Sequence, residues 1–300
     1  FRHLLYEATQ GAAVTSTQEE IQVSYDVSNE FFRLWLDERM HYTCAVYEKD
    51  TDTLEQAQEN KSRVLYEFAE LDKTKSVLDI GCGWGPNLEY ITRRGIKEAH
   101  GITLSPAQTE EINARNIPGL KVWCTDYKDF APPGGMKYDG LVSIEMIDHL
   151  CSPAQAAKGH AVDLYRKYFN RVAEWIKPGG LFAFQAILRN RVPRTKSDIA
   201  DLKFTADEIF PGGLNPRLEE LVMAVNPSFE IVELKTRRVH YGKTTGEWLR
   251  RLQLNEKTII EKWGKKTYDD YVRYLSTCVR AFKNHWSSDV QMKLRHIVIE

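Results

Sequence analysis

Apolar positions recur at helical spacing through the first quarter of the chain, then give way to short apolar runs separated by amphipathic stretches. Within 27–36, Phe31, Phe32, Leu34 and Trp35 follow helical spacing. TLEQAQENKSRVLYEFAEL (53–71) opens on a T-x-x-Q capping pattern and continues as a long amphipathic helix. The run SVLDI (76–80) is apolar with a β-branched bias and predicts a buried strand. Alternation follows: helix 87–94, strand AHGITL (99–104), helix 106–116, strand KVWC (121–124), strand GLVSI (140–144), helix 163–175 and strand GLFAFQAI (180–187). Strands separated by helices predict a parallel sheet covered on both faces. Over 190–220 the pattern is interrupted by Pro193, Pro211, Gly212, Gly213 and Pro216, which reads as an inserted cap over a site. A strand at 229–234, helices at 245–263 and 268–283, and a last strand at 290–299 closing the sheet complete the reading.

The predicted organisation is therefore a helical N-terminal lid over 1–75 and an α/β domain over 76–300, with a cap at about 190–225. A parallel sheet of this kind binds ligands at the carboxyl ends of its strands, which gathers Asp79, Gly81, Thr103, Asp126 and Glu145 around one crevice.

The chemistry of that crevice is set by SVLDIGCGWG (76–85). Gly81, Gly83 and Gly85 allow a tight turn whose backbone approaches a ligand closely. Asp79, just before them, places a carboxylate at the strand end. That suits the sulfonium and ammonium of S-adenosylmethionine (SAM) and opposes a pyrophosphate. A dinucleotide site calls for G-x-G-x-x-G and an acid about 20 residues on. Here Asn87 follows Pro86, and the second strand ends in Thr103 and Ser105 without an acid. The sequence thus predicts the Rossmann-like sheet of a class I SAM-dependent methyltransferase.

Composition narrows the alternatives. With 42% hydrophobic and 28% charged residues the chain is globular. A net charge of −1 argues against nucleic acid and leaves at most peripheral membrane contact. No apolar run approaches the roughly 20 residues that span a bilayer. The five cysteines are scattered without C-x-x-C, which excludes a zinc signature and fits a reduced, cytoplasmic enzyme. No metal site is expected. The chain begins with Phe1 rather than Met, which leaves room for a preceding segment.

Methyl transfer from SAM needs alignment and exclusion of water, and what differs between acceptors is proton removal. Asp148 and His149 are the candidate base pair; the alternatives are an Asp148 helix N-cap and a core-facing His149. Tyr25, Phe31, Phe32, Tyr42, Tyr47 and Tyr241 are candidates to stabilise a cation, or core aromatics. Arg189, Arg191, Arg194 and Lys196 read as a phosphate or carrier-binding patch or as a solvated loop. Lys61 reads as part of a solvated helix face, and His160 as a surface residue.

Seven segments in order resemble the cyclopropane fatty-acid synthase family of SAM-dependent methyltransferases: YDVSNEFFRLWLD (25–37), HYTCAVY (41–47), TLEQAQENK (53–61), VLDIGCGWG (77–85), GITLSPAQ (101–108), FPGGLNP (210–216) and HYGKTTGEWL (240–249). SIEMIDH (143–149) and EWLRRL (247–252) are also similar to plant alkaloid N-methyltransferases. The resemblance implies that Tyr25, Tyr42 and Thr43 close over SAM, that Asp79, Gly81 and Gly83 cradle its methionine moiety, and that Thr103, Leu104 and Gln108 line its ribose. It places Asp126 by the adenine, with Trp123 flanking the ring or packed in the core. Cyclopropanating members hold a bicarbonate with a Cys, a Glu, a His, a Tyr and an Ile backbone. Cys44, Tyr241 and Ile187 match that set, whereas the Glu is Asp148 and the His is Gln185. Asp is one methylene shorter, and Gln cannot take up a proton as His can. The implied activity is methyl transfer to a carbon of a lipid or natural-product acceptor, with a small-molecule amine as the alternative and a non-catalytic SAM-binding protein as a third reading. Oligomeric state is left open.

Overall fold

The computed structural model describes residues 28–298. Helices α1 (Asn29–Arg33) and α2 (Leu54–Phe68) precede a seven-stranded sheet with order β3-β2-β1-β4-β5-β7-β6. Its strands are β1 (Ser76–Ile80), β2 (Glu98–Thr103), β3 (Leu120–Cys124), β4 (Tyr138–Ile144), β5 (Ile176–Arg189), β6 (Phe229–Thr236) and β7 (Ser287–His296). The first five pair in parallel, and β7 runs antiparallel between β5 and β6. The last strand is therefore an internal one, not the closing edge expected from sequence, and it starts three residues earlier.

Every residue of β1 is buried because the sheet is covered on both faces. Leu78 and Ile80 join a core with Phe182 and Phe184 under α6 (Ala161–Ala173) and α8 (Leu218–Val225). Val77 faces the other way, toward α2 and α3 (Pro86–Thr92), with Val64, Leu65 and Leu88. Side chains alternate along a strand, so Asp79 shares the Val77 face, the one covered by α2. The T-x-x-Q signal at the start of α2 is a reciprocal capping box between Thr53 and Gln56.

A third, aromatic cluster packs α1 against α9 (Arg238–Leu254) and α10 (Glu256–Lys283), with Phe31, Trp35, Trp248 and Tyr271 at its centre. Helix α9 begins seven residues before the expected 245, and the interruption expected near 264 is a non-helical Gly264 (φ 86°) inside α10. Within the expected cap, α7 (Lys196–Phe204) lies over the site, but α8 packs on the sheet through Leu221, Ala224 and Val225. Among the described residues the remaining α-helices are α4 (Pro106–Ala114) and the short α5 (Pro153–Ala157). Among the described residues no helix is long and apolar enough to cross a membrane.

Candidate active site

A cavity of about 730 Å³ opens along the carboxyl ends of β1–β5, under the N-terminal segment and α7, α9 and α10. Asp79, Gly81, Thr103, Asp126 and Glu145 all line it, as do Tyr42, Thr43, Gly83, Leu104 and Gln108. Tyr25 lies outside the described residues.

The glycine turn leaves β1 with Gly81, Gly83 and Gly85 at φ 81°, 55° and 77°, conformations that disfavour other residues. A Cβ on Gly81 would stand 2.8 Å from Met146 Cγ, so the turn is closed to any side chain. Asp79 is buried; its Oδ2 accepts a hydrogen bond from Asn87 Nδ2 at 3.1 Å, and its Oδ1 has no partner among the described residues. Burial pushes its carboxyl up to about 6, against the pull of Asn87 and Lys61. An orphaned carboxylate oxygen on a cavity wall beside a bare backbone turn fits a cationic ligand such as SAM. On the neighbouring strand end, Thr103 Oγ1 donates to Gln108 Oε1 at 2.7 Å.

Lys61 corrects a sequence expectation. It is 1% exposed and lines the cavity, with its Nζ donating to Thr43 Oγ1 at 3.0 Å. Burial lowers its pKa to about 8, although Glu145, Asp37 and Asp79 pull it up. Its position was readable: Leu54, Ala57, Lys61, Val64, Leu65 and Phe68 share the buried stripe of α2. Charge alone had placed it on the solvated side.

At the end of β4, Glu145 adopts φ 53°, unusual for a residue other than glycine. Its Oε1 accepts from Cys44 N at 2.9 Å and Gln185 Nε2 at 2.7 Å, and its Oε2 accepts from the Tyr241 hydroxyl at 2.6 Å. The Gln185 amide is itself oriented, since its Oε1 accepts from Gln291 Nε2 (2.7 Å) and Gln291 Oε1 accepts from Arg237 Nε (2.8 Å). Burial raises the Glu145 pKa, opposed by these three donors and by Lys61. Behind it the fully buried Asp289 of β7 is held well above the carboxylate range by burial and by Glu145.

Asp148 and His149 sit in a single 3₁₀ turn (Ile147–His149), and both line the cavity. Asp148 makes no N-cap bond; its Oδ1 is buried without a partner, and burial followed by Glu145 pushes its carboxyl well up. Burial pushes His149 down to about 4, which keeps the ring neutral at pH 7.

Other expected residues fall elsewhere. Trp123 is not on the cavity wall; it packs edge-on to His100 at 4.9 Å and beside Phe130 at 5.7 Å. Cys44 and Gln185 lie behind Glu145 rather than on the wall. The Cys44 thiol is pushed well up by burial, which keeps it protonated and rules out a thiolate role. Ile187 lines the cavity. Arg189 is tied to Glu220 at 2.6 Å and to the Asn215 carbonyl at 2.8 Å, so it is no free anion-binding arm. His160 is exposed at the start of α6. Among the described residues no cluster of metal-ligating side chains occurs.

This sheet order, glycine turn and acid-ended first strand define a class I SAM-dependent methyltransferase. The sequence profile described as mycolic acid cyclopropane synthetase matches residues 13–292, and the chain belongs to that family. It is 31% identical over 290 residues to the S-adenosylmethionine-dependent methyltransferase UmaA of Mycobacterium tuberculosis, covering 92% of this chain and 96% of that one. It is 26% identical over 304 residues to cyclopropane mycolic acid synthase 2 of Mycobacterium bovis, covering 96% and 98%. The structure of the cyclopropane synthase MmaA2 from Mycobacterium tuberculosis superposes with TM-score 0.84 at 27% identity, covering 94% of this chain and 99% of that one. Coclaurine N-methyltransferase, at 19% identity and TM-score 0.78, shares the fold.

Proposed function

We propose that this enzyme methylates an unsaturated carbon of a lipid acyl chain, and that the Glu145 carboxylate takes the place the family resemblance gives to bicarbonate. One observation carries the reading. Three groups that the resemblance assigns to the anion, at Cys44, Gln185 and Tyr241, converge within 2.6–2.9 Å on the carboxylate of Glu145. An internal carboxylate thus fills an anion site built for an external one.

The bound cofactor supplies an electrophilic methyl group on a sulfonium. The residues of the chain do the rest. Asp79 and the glycine turn hold the methionine end; Thr103 and Gln108 hold the ribose side. Leu202, Ala206, Phe210, Leu214, Ala281 and Phe282 give the outer cavity an apolar wall that suits an acyl chain and excludes water. Methyl addition to an alkene leaves a carbocation on the acceptor, and a proton must then leave the transferred methyl carbon to close a ring or form a methylene. Glu145 is placed to take it. Its three donors favour the anion, while burial raises its affinity for a proton above that of a solvated carboxylate. Burial and the neighbouring Glu145 push the Asp148 carboxyl well up, which disfavours a second negative charge beside Glu145. The names of the relatives support a lipid acceptor: one is cyclopropane mycolic acid synthase 2, and a Pseudomonas putida relative is named a probable fatty acid methyltransferase.

The same carboxylate would also take a proton from an amine, and the acid-lined floor of Glu145 and Asp148 favours that as the second reading. Incubation with SAM and either monounsaturated phospholipid vesicles or a panel of secondary amines separates the two. A gain of one CH₂ unit in the acyl chains supports the proposal; a gain confined to the amines overturns it in favour of the second reading.

A further inference from the structure

The wall that holds Asp79 carries a buried cation that methyl transfer itself does not require. Lys61 projects from the apolar stripe of α2 onto the face of the sheet where Asp79 ends β1, and both line the same cavity. An ammonium has three donors. Thr43 Oγ1 takes one at 3.0 Å, and no carboxylate lies within ion-pair distance of Lys61 among the described residues. Asp37, one of the acids that pull on Lys61, is already committed to His41 at 2.8 Å. A buried ammonium without a direct counter-ion is costly to maintain, so its retention in a cavity wall points to an anion that arrives with a ligand.

The methionine end of SAM brings such an anion. Its ammonium and carboxylate sit on one carbon, so a site that takes the ammonium on Asp79 must receive the carboxylate a few ångströms away. That carboxylate would enter a region already negative with Asp79 and Glu145. The other cations on the cavity wall are placed differently, and Arg191 is exposed in the segment after β5. Arg189 is bonded to Glu220, Arg217 reaches the Asn190 carbonyl, and Lys128 lies by Asp126 at the β3 end.

We propose that Lys61, held by Thr43, is the counter-ion for the carboxylate of the SAM methionine moiety, so that Asp79 and Lys61 together read the zwitterion. Lys61 is thereby a cofactor-specificity residue: it makes the site discriminate SAM from an analogue that keeps the sulfonium and ammonium but lacks the carboxylate.

Calorimetric titration of the full chain with SAM and with decarboxylated SAM tests this without any acceptor, so its outcome is separate from that of the methylation reading. Wild-type protein is expected to bind SAM about 10- to 100-fold more tightly than decarboxylated SAM, the range of a buried charge-assisted contact. Lys61→Met and the milder Lys61→Gln should lose that factor for SAM and keep their affinity for the decarboxylated ligand, which also shows that the variants fold. Equal loss of both ligands in a folded variant would mean that Lys61 serves only Asp79 and Glu145, and would overturn the assignment. Equal affinity of the wild type for the two ligands overturns it whatever the variants do.

Discussion

Replacing Glu145 isolates the step on which the proposed chemistry depends. In Glu145→Gln the side-chain oxygen still accepts from Cys44 N and Gln185 Nε2, which both bond the same Oε1 in the native site. The new amide nitrogen meets the Tyr241 oxygen, now 2.6 Å from Oε2, and a hydroxyl can accept as well as donate. The shape and hydrogen bonding of the site are therefore kept, and what is lost is the ability to take up a proton. A positioned base contributes about 10²- to 10⁴-fold, so kcat should fall by that factor while the Kd for SAM moves less than about threefold. Glu145→Gly is the complementary change. The backbone there has φ 53°, which glycine adopts without strain, and removal of the side chain leaves a gap flanked by the three donors. Bicarbonate fits that gap and should restore at least about tenfold of the lost rate in Glu145→Gly, and nothing in Glu145→Gln, where the amide fills the space. Initial rates of methyl transfer to the acyl chains of monounsaturated phospholipid vesicles, with and without added bicarbonate, read both effects. Turnover of Glu145→Gln within about threefold of wild type would show that Glu145 is not the base.

Further outcomes follow from the same geometry. Asp79→Asn should weaken SAM binding about 10- to 100-fold with little change in acceptor affinity; equilibrium dialysis measures it. Because the free Asp79 carboxyl titrates at about 6, wild-type SAM affinity should fall as pH drops below that value, and the dependence should vanish in Asp79→Asn. His149 is depressed to about 4 from an ordinary 6.5. The unfolded chain therefore binds that proton first, and stability should be lost as pH falls from 6.5 toward 4, by about 2 kcal/mol. Urea denaturation across that range should show a shallower loss in His149→Gln. Thr53→Ala removes the capping box of α2 and should cost about 1 kcal/mol in the same assay without altering kcat.

How far the sequence carried this account depends on whether a feature is local. Strand β1, its glycine turn and the Thr53–Gln56 cap are written in adjacent residues, and each forms where its residues sit. The crevice was also legible, because a parallel sheet aligns the ends of β1, β2 and β4 by topology alone. Lys61 was legible in spacing but misread through charge: a stripe that repeats at three and four residues outweighs the preference of one ammonium for water once the cavity offers it polar company. Trp123 could not be settled, since β3 alternates between sheet faces and only the packing of His100 and Phe130 shows which side the indole takes. The Glu145 network was out of reach. Its donors come from positions 44, 185 and 241, and Gln291 and Asp289 join them only because β7 inserts antiparallel between β5 and β6, a pairing that no local pattern specifies.

If Glu145 removes a proton from the transferred methyl after the new carbon–carbon bond has formed, the hydrogens of that methyl record the step. The most direct test is the deuterium content of the product made from SAM carrying a fully deuterated methyl group and monounsaturated phospholipid. Loss of a proton from the transferred methyl gives a product that retains two of its three deuterons, whether a ring or a methylene results. That isotopologue is expected in the acyl chains; a product that keeps all three deuterons, or label found only on amines, rules out proton removal from the transferred methyl by Glu145.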